Sequence, residues 1–182
     1  MTTKELLAKS FVELSNVKSV DKITIRSIVD NCDLPKTTFY NHFQDKYDLI
    51  VWIYTAPIKK IVNRMRTHYN VRDAISEVLR YLIDNRRFII NALKNTSGQN
   101  SFLNYVSKIH FTVLRDFITD DGAHQLPRRI ELLAKLYVFG TVQLTCEWLI
   151  NKMSIPLEEF SEILSAGLPQ ELAPYLSKHG AN

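Results

Sequence analysis

Between Lys36 and Lys46 the chain gathers Lys36, Thr37, Thr38, Tyr40, Asn41, His42 and Lys46. Two ammonium groups, two adjacent hydroxyls, a phenol, a carboxamide and an imidazole can all donate hydrogen bonds. Phosphate oxygens accept such bonds, and base edges are read by a few of the same groups. Lys36 has the chemistry to read guanine and Asn41 adenine; Thr38 offers a methyl to thymine or a hydroxyl to phosphate. Tyr40 and His42 can donate to phosphate, and Lys46 is a natural phosphate anchor. Singly, each has an ordinary alternative. A Lys-Thr-Thr start is commonly an exposed helix end, Tyr40 an aromatic at the edge of a core, His42 a surface residue. Their joint spacing is what points to nucleic acid.

Such groups need short, stiff elements to aim them. From Thr24 to Lys46 the sequence predicts a helix, a tight turn and a second helix. Ile25, Ile28, Val29 and Cys32 fall one turn apart on the first of these. Thr24 is placed to cap it, its hydroxyl accepting from an orphan amide. Thr24 and Arg26 also stand at a helix N-terminus, which can face phosphate. Asp33 supplies the turn, since Asp tolerates left-handed backbone better than most residues. Pro35 opens the second helix, where its missing N–H costs little. Phe39 and Phe43, four apart, pin that helix to a core. Two helices this short build no core of their own, so the unit makes sense as a device that presents one helix to DNA.

The rest of the chain reads as helix, giving an all-α fold of about nine helices. The first spans about Thr3 to Val17, and a long fourth begins near Asp45, with Pro57 expected to kink or split it. Further helices are expected at Val71–Asn85, Arg87–Leu93, Phe102–Ile118, Arg128–Lys152 and Leu157–Ala166, with Gly167, Pro169 and Pro174 breaking what remains. The expected division is residues 1–48 for the helix-turn-helix and 49–182 for a second helical part. The eighth helix carries two apolar stripes. One is Ile130, Leu133, Ala134, Tyr137, Thr141, Leu144 and Trp148; the other is Leu132, Leu136, Phe139, Cys146 and Ile150. A helix apolar on two faces is buried on two faces. One serves the chain's own core, and a second copy is the simplest cover for the other. The eighth and ninth helices are thus expected to pair with their mates as a four-helix bundle, with Gly140 permitting close approach.

Charge is uneven along the 182 residues, with a formal net of +4. Residues 1–50 hold seven basic and seven acidic groups, so any DNA contact rests on a few placed groups. Lys59, Lys60, Arg64, Arg66 and Arg72 form a run without an acid, read as a solvated face or a wider electrostatic footprint. Cys32 and Cys146 sit in apolar helical patterns and read as buried thiols in a reducing cytosol. The N-terminus lacks an apolar signal core, and the apolar stretch Leu136–Ile150 is too short and polar to span a bilayer. A cytoplasmic protein is expected. His42, His68, His110, His124 and His179 show no metal-ligand spacing, and no phosphate loop or nucleophile elbow occurs. Asp120, Asp121 and His124 share a loop that reads as solvated. No enzyme, cofactor or metal is expected.

The helix-turn-helix closely resembles the N-terminal domain of the TetR family of transcription regulators. Thr24, Ile28, Val29, Leu34, Lys36, Thr38, Phe39, Tyr40, Phe43, Lys46 and Leu49 carry the likeness, which covers about the first 55 residues. Asp33 stands where the family usually has Gly, Pro35 where it often has a small polar cap, and Thr37 where it often has Gly. The chain also looks somewhat like regulators associated with dihydroxyacetone kinase. The resemblance implies a homodimer on a near-palindromic operator. It also implies a repressor released by a small-molecule effector in the second part. Tyr105, His110, Tyr137, Gln143 and Trp148 are the polar groups expected to face an apolar interior there. The dihydroxyacetone-kinase likeness implies the alternative, a co-activator whose C-terminal part binds a protein.

Overall fold

The computed structural model describes residues 1–65, 70–96, 101–119 and 125–176. Arg66, His68, Asp120, Asp121, His124 and His179 lie outside the described residues. Ten α-helices and two 3-10 turns occur among those described, and no strand. In chain order the helices are α1 (Thr3–Ser15), α2 (Ile25–Asp30), α3 (Lys36–Tyr40), α4 (Lys46–Met65) and α5 (Val71–Asp84). There follow α6 (Arg86–Lys94), α7 (Phe102–Ile118), α8 (Arg128–Ile150), α9 (Leu157–Ala166) and α10 (Ala173–Leu176). The 3-10 turns are Val20–Lys22 and Gln170–Leu172. The expected bounds of the seventh and ninth helices are those observed. The tail is more regular than expected, because a 3-10 turn leads into α10 where Pro169 and Pro174 were read only as breaks.

The chain forms two compact units: residues 1–56 with 85–102, and 57–84 with 103–182. By packing, α4 passes from one unit to the other at Ala56–Pro57. Pro57 lies inside α4 without splitting it. Buried anchors flank it on both sides, Ile53 and Tyr54 before it and Ile58 and Ile61 after it. Those anchors offset the hydrogen bond that proline cannot donate.

In the first unit Leu7 and Phe11 of α1, Ile28 and Val29 of α2, Phe39 of α3, and Leu49, Ile50, Ile53 and Tyr54 of α4 are buried. Phe88, Ile89 and Ala92 of α6 complete the core. The Phe11 and Phe88 rings meet edge to face at 6.0 Å, and Phe43 meets Trp52 at 6.0 Å. Such rings add directional attraction to their large buried area. Ser10 is buried and donates to Ile28 O at 2.6 Å, and Asn31 Nδ2 donates to Ser10 Oγ at 3.1 Å, tying α1 to α2.

In the second unit α8 buries Ile130, Ala134, Val138, Val142, Thr145, Trp148 and Leu149. This corrects the inner stripe expected from sequence: Val138, Val142 and Leu149 belong to it, Leu144 is exposed, and Leu133 is half-buried. Trp148 stacks on Phe160 of α9 at 4.6 Å, and its Nε1 donates to Ile155 O at 2.9 Å. Tyr137 donates its hydroxyl to Leu164 O at 2.8 Å. These contacts lock α8 to α9. Helix α5 packs on α9, with Arg72 paired to Glu162 at 3.3 Å. Ile130, Ala134 and Leu172 pack with Phe111, Leu114, Tyr175 and Leu176, which docks the C-terminal turns. The opposite face of α8 leaves Leu132, Leu136, Phe139, Leu144 and Ile150 exposed in the single chain, with Ile163 of α9 beside them in type. A side chain built at Gly140 would meet nothing within 4 Å. No described helix is long and apolar enough to cross a membrane.

Candidate functional site

Caps and turns place the reading elements. Thr24 caps α2 reciprocally: its hydroxyl accepts from Ser27 N–H at 3.1 Å, and Ser27 Oγ accepts from Thr24 N–H at 3.1 Å. Asp33 takes a φ of 53°, the left-handed turn expected of it, and Leu34 N–H closes onto Val29 O at 3.0 Å. Pro35 then stands as the N-cap of α3. Phe39 and Phe43 are buried at a ring separation of 5.8 Å. With that face fixed, Lys36, Thr37, Tyr40 and Asn41 are exposed, and Thr38 and His42 half-buried. Lys36 Nζ lies 5.7 Å from the Tyr40 ring centre, so both donors share one edge of α3. Asn41 ends the helix, its N–H donating to Thr37 O at 3.1 Å. Thr24 and Arg26 are exposed at the start of α2, and Arg26 Nε already bonds Asp30 Oδ2 at 2.8 Å. That exposed pair is weak and can yield to a phosphate.

Lys46 requires correction. Its Nζ donates to Val20 O at 3.0 Å, Asp21 O at 2.8 Å and Ile23 O at 3.0 Å. An ammonium has three hydrogens, and all three are spent on backbone carbonyls. Desolvation pulls its pKa down, against the opposing pull of Asp21 and Asp45. Lys46 therefore clasps the connector before α2 and has no donor left for phosphate. The start of α4 is capped instead by Asp45, whose Oδ1 accepts from Tyr47 and Asp48 N–H at 2.8 and 2.9 Å.

Sequence reasoning missed Asn91, which reaches the connector from α6. No local signal marks it, because its partners lie more than seventy positions away. It also missed Lys4, whose Nζ lies 5.5 Å from the Phe43 ring centre, and Tyr47, exposed beside Lys46. The basic run is partly used up: Arg64 pairs with Glu77 and Arg72 with Glu162, while Lys59 and Lys60 are exposed.

Among the polar groups expected inside the second unit, Tyr105 and Gln143 are exposed instead. Both lie on wet helix faces, and Gln143 Nε2 donates to Glu147 Oε1 at 2.8 Å. Tyr137 and Trp148 face inward but use their polar atoms on backbone carbonyls. His110 sits on α7, where desolvation holds its imidazole down at about 4. Cys32 and Cys146 are half-buried, less enclosed than expected, and burial raises both thiols, Cys146 to about 11. Neither is poised as a thiolate. Among the described residues no group of three or more His, Cys, Asp and Glu could hold a metal ion.

A pinned short helix that turns its donors outward, on an otherwise helical chain, defines a helix-turn-helix protein. The family model of the TetR C-terminal type, "Transcriptional regulator C-terminal region", matches residues 69–169, more than half of the chain. The chain belongs to the TetR family of transcriptional regulators. The HTH-type dhaKLM operon transcriptional activator DhaS of Lactococcus lactis subsp. lactis (strain IL1403) is 28% identical over 86 residues. That match spans 47% of this chain and 46% of the relative, about half the length of each. A solved dihydroxyacetone kinase operon activator DhaS superposes with a TM-score of 0.68 at 21% identity, covering 95% of this chain and 96% of that one. The Bacillus subtilis regulator FadR, solved in complex with stearoyl-CoA, gives 0.58 at 16% identity over 90% and 97%. At these identities the solved structures share the fold.

Lys46→Ala should remove the ammonium from three carbonyls, leaving Val20 O only its bond from Ile23 N–H, and lower stability by about 1–3 kcal/mol. Thermal melts read it directly. An unchanged melt with a shallower salt dependence of DNA binding would return Lys46 to phosphate. His110 generates a pH test. Its folded pKa lies below the ordinary value, so its contribution is full above about pH 6.5 and is lost as pH falls towards 4. Urea melts of the wild type should lose about 3 kcal/mol more than His110→Gln over that window. Equal losses would refute the assignment.

Proposed function

We propose that the chain is a sequence-specific DNA-binding regulator that works as a homodimer and answers to a small molecule. The observation that carries the reading is the exposed donor edge of α3, held in register by the buried Phe39 and Phe43. Residues 1–48 act as the reading head, and residues 49–182 dimerise and sense. Lys36, Thr37, Thr38, Tyr40, Asn41 and His42 meet the duplex from α3 and its end, with Thr24 and Arg26 on phosphate. The effector reading is supported by the family and by a like-folded regulator held with stearoyl-CoA. His110 is the polar group we assign to that site. The exposed apolar face of α8 supports the dimer, since contiguous apolar surface of this kind marks an interface. A place in the cytoplasm follows from binding the operator. The reading assigns the chain no reaction, cofactor or metal.

A repressor released by its effector is the form we favour. The named activator of the dhaKLM operon favours a second form, a co-activator whose second unit binds a protein. Melting scans with small polyols and acyl-CoA, followed by DNA binding in their presence, separate the two. An effector that stabilises the chain must change its DNA affinity by the coupling that DNA exerts on it.

A gel-shift screen of genomic fragments should find a near-palindromic site whose half-sites match the two-fold protein. Asn41→Ala or Lys36→Ala should then cost about 1–3 kcal/mol at one base position. Binding that is salt-sensitive but blind to sequence would sink the proposal. For the dimer, Phe139→Glu should yield helical monomers that lose the operator. Val138→Glu, on the buried face of the same helix, should unfold the second unit. A dimer surviving Phe139→Glu in sedimentation moves the interface elsewhere.

A further inference from the structure

The connector between α1 and α2 is held by side chains more than by its own backbone. Asn91 of α6 grips it first. Its Oδ1 accepts from Val20 N–H at 3.0 Å, and its Nδ2 donates to Ser15 O at 2.8 Å and Lys18 O at 2.7 Å. Asn95, the C-cap of α6, donates to Asn91 Oδ1 at 2.8 Å and to Asn91 O at 2.9 Å. The opposite amide orientation would set oxygen against two carbonyls and nitrogen against two donors, so the network fixes it. Lys46 grips the other side: Val20 O accepts from its Nζ. Val20 itself is wholly buried. Both backbone polar atoms of one buried residue are thus held, one from α6 and one from α4.

The connector leads directly into Thr24, the N-cap of α2. From there α2 and the Asp33 turn are hydrogen-bonded as far as Leu34 N–H on Val29 O, and α3 starts afresh at Pro35, whose carbonyl accepts from Thr38 N–H. Helix α2 packs on α3, so where residues 15–23 are held bears on the pose of the recognition helix. A carboxamide suits the task because it accepts and donates in one plane. A leucine of similar shape does neither, and an ionised aspartate cannot donate.

We infer that Asn91 is a positioning residue for DNA reading, setting the register of the α1–α2 connector and through it the angle of α3. The inference rests on the proposed DNA-binding function. It differs from a purely stabilising stitch in what it predicts. A stitch, once cut, weakens all DNA binding together as the unit melts. A positioning residue, once cut, misplaces base contacts and spares the forgiving phosphate contacts.

The test uses the full-length chain with the operator from the genomic screen and a random duplex of equal length and salt. Asn91→Leu should lose about tenfold or more on the operator, the equivalent of one net hydrogen bond or more. Its affinity for random duplex should stay within about twofold. Amide exchange across residues 15–24 should quicken, while peptides of the second unit keep their rates. Asn91→Asp should recover operator affinity, relative to wild type, as pH falls from about 8 to about 5.5. The facing carbonyls raise that carboxyl's pKa, and only its protonated form can donate. Asn95→Ala removes just the orienting contact and should give the same split at smaller amplitude; it keeps the test decisive if Asn91→Leu unfolds the unit. Operator and random affinity falling together in Asn95→Ala would overturn the inference, as would unaltered exchange at residues 15–24. A wild type that binds no operator sinks the function and the inference together. Variants that bind the operator as the wild type does sink the inference alone.

Discussion

The reading head depends on satisfying the backbone of a connector that makes few regular bonds of its own. Helices of six and five residues, as α2 and α3 are, do not persist alone in water. They survive because neighbours complete them: the Thr24 cap, the Ser10 bond to Ile28, and the buried faces of Phe39 and Phe43. The connector that starts them ends its carbonyls on the Lys46 ammonium and its Val20 amide on Asn91. A buried amide or carbonyl without a partner costs about 1–3 kcal/mol, which is a large share of a small unit's stability. The balance of seven basic and seven acidic groups in residues 1–50 fits the same design, since affinity then rests on placement more than on field.

How much was legible in the sequence follows from the range of each interaction. Thr24, Asp33 and Pro35 act within three or four residues, and their roles were readable from local backbone chemistry. Phe39 and Phe43 were readable from spacing. Lys46 misled because an exposed phosphate anchor and a carbonyl clasp look alike in sequence; only the folded path of residues 20–23 brings three oxygens to one ammonium. Asn91 was invisible for the same reason at greater range. The inner stripe of α8 was legible in Ile130, Ala134 and Trp148, but its middle runs through Val138, Val142 and Thr145 and not through Leu133 and Leu144. At Pro57 the helix is not split, because packing on both sides overrides local preference.

Two separate parts of the chain agree on what it is. The family match covers residues 69–169 and does not include the helix-turn-helix at all. The helix-turn-helix was read from residues 24–46, before the matched region begins. The second unit repeats the first unit's economy in another form. It spends Tyr137 and Trp148 on joining α8 to α9 and leaves the opposite face of α8 apolar and uncovered. A rigid inner face and an open outer one are what a helix needs if it must hold its own fold while offering a surface to a mate.

The two tryptophans of the chain fall one in each unit: Trp52 packs edge to face on Phe43, and Trp148 stacks on Phe160. The protein therefore carries its own pair of optical reporters. Emission from Trp52 follows the environment behind the recognition helix, and emission from Trp148 follows the α8–α9 junction. Replacing either indole by phenylalanine leaves a single-fluorophore chain in which the loosening of one unit can be timed without labels and without interference from the other.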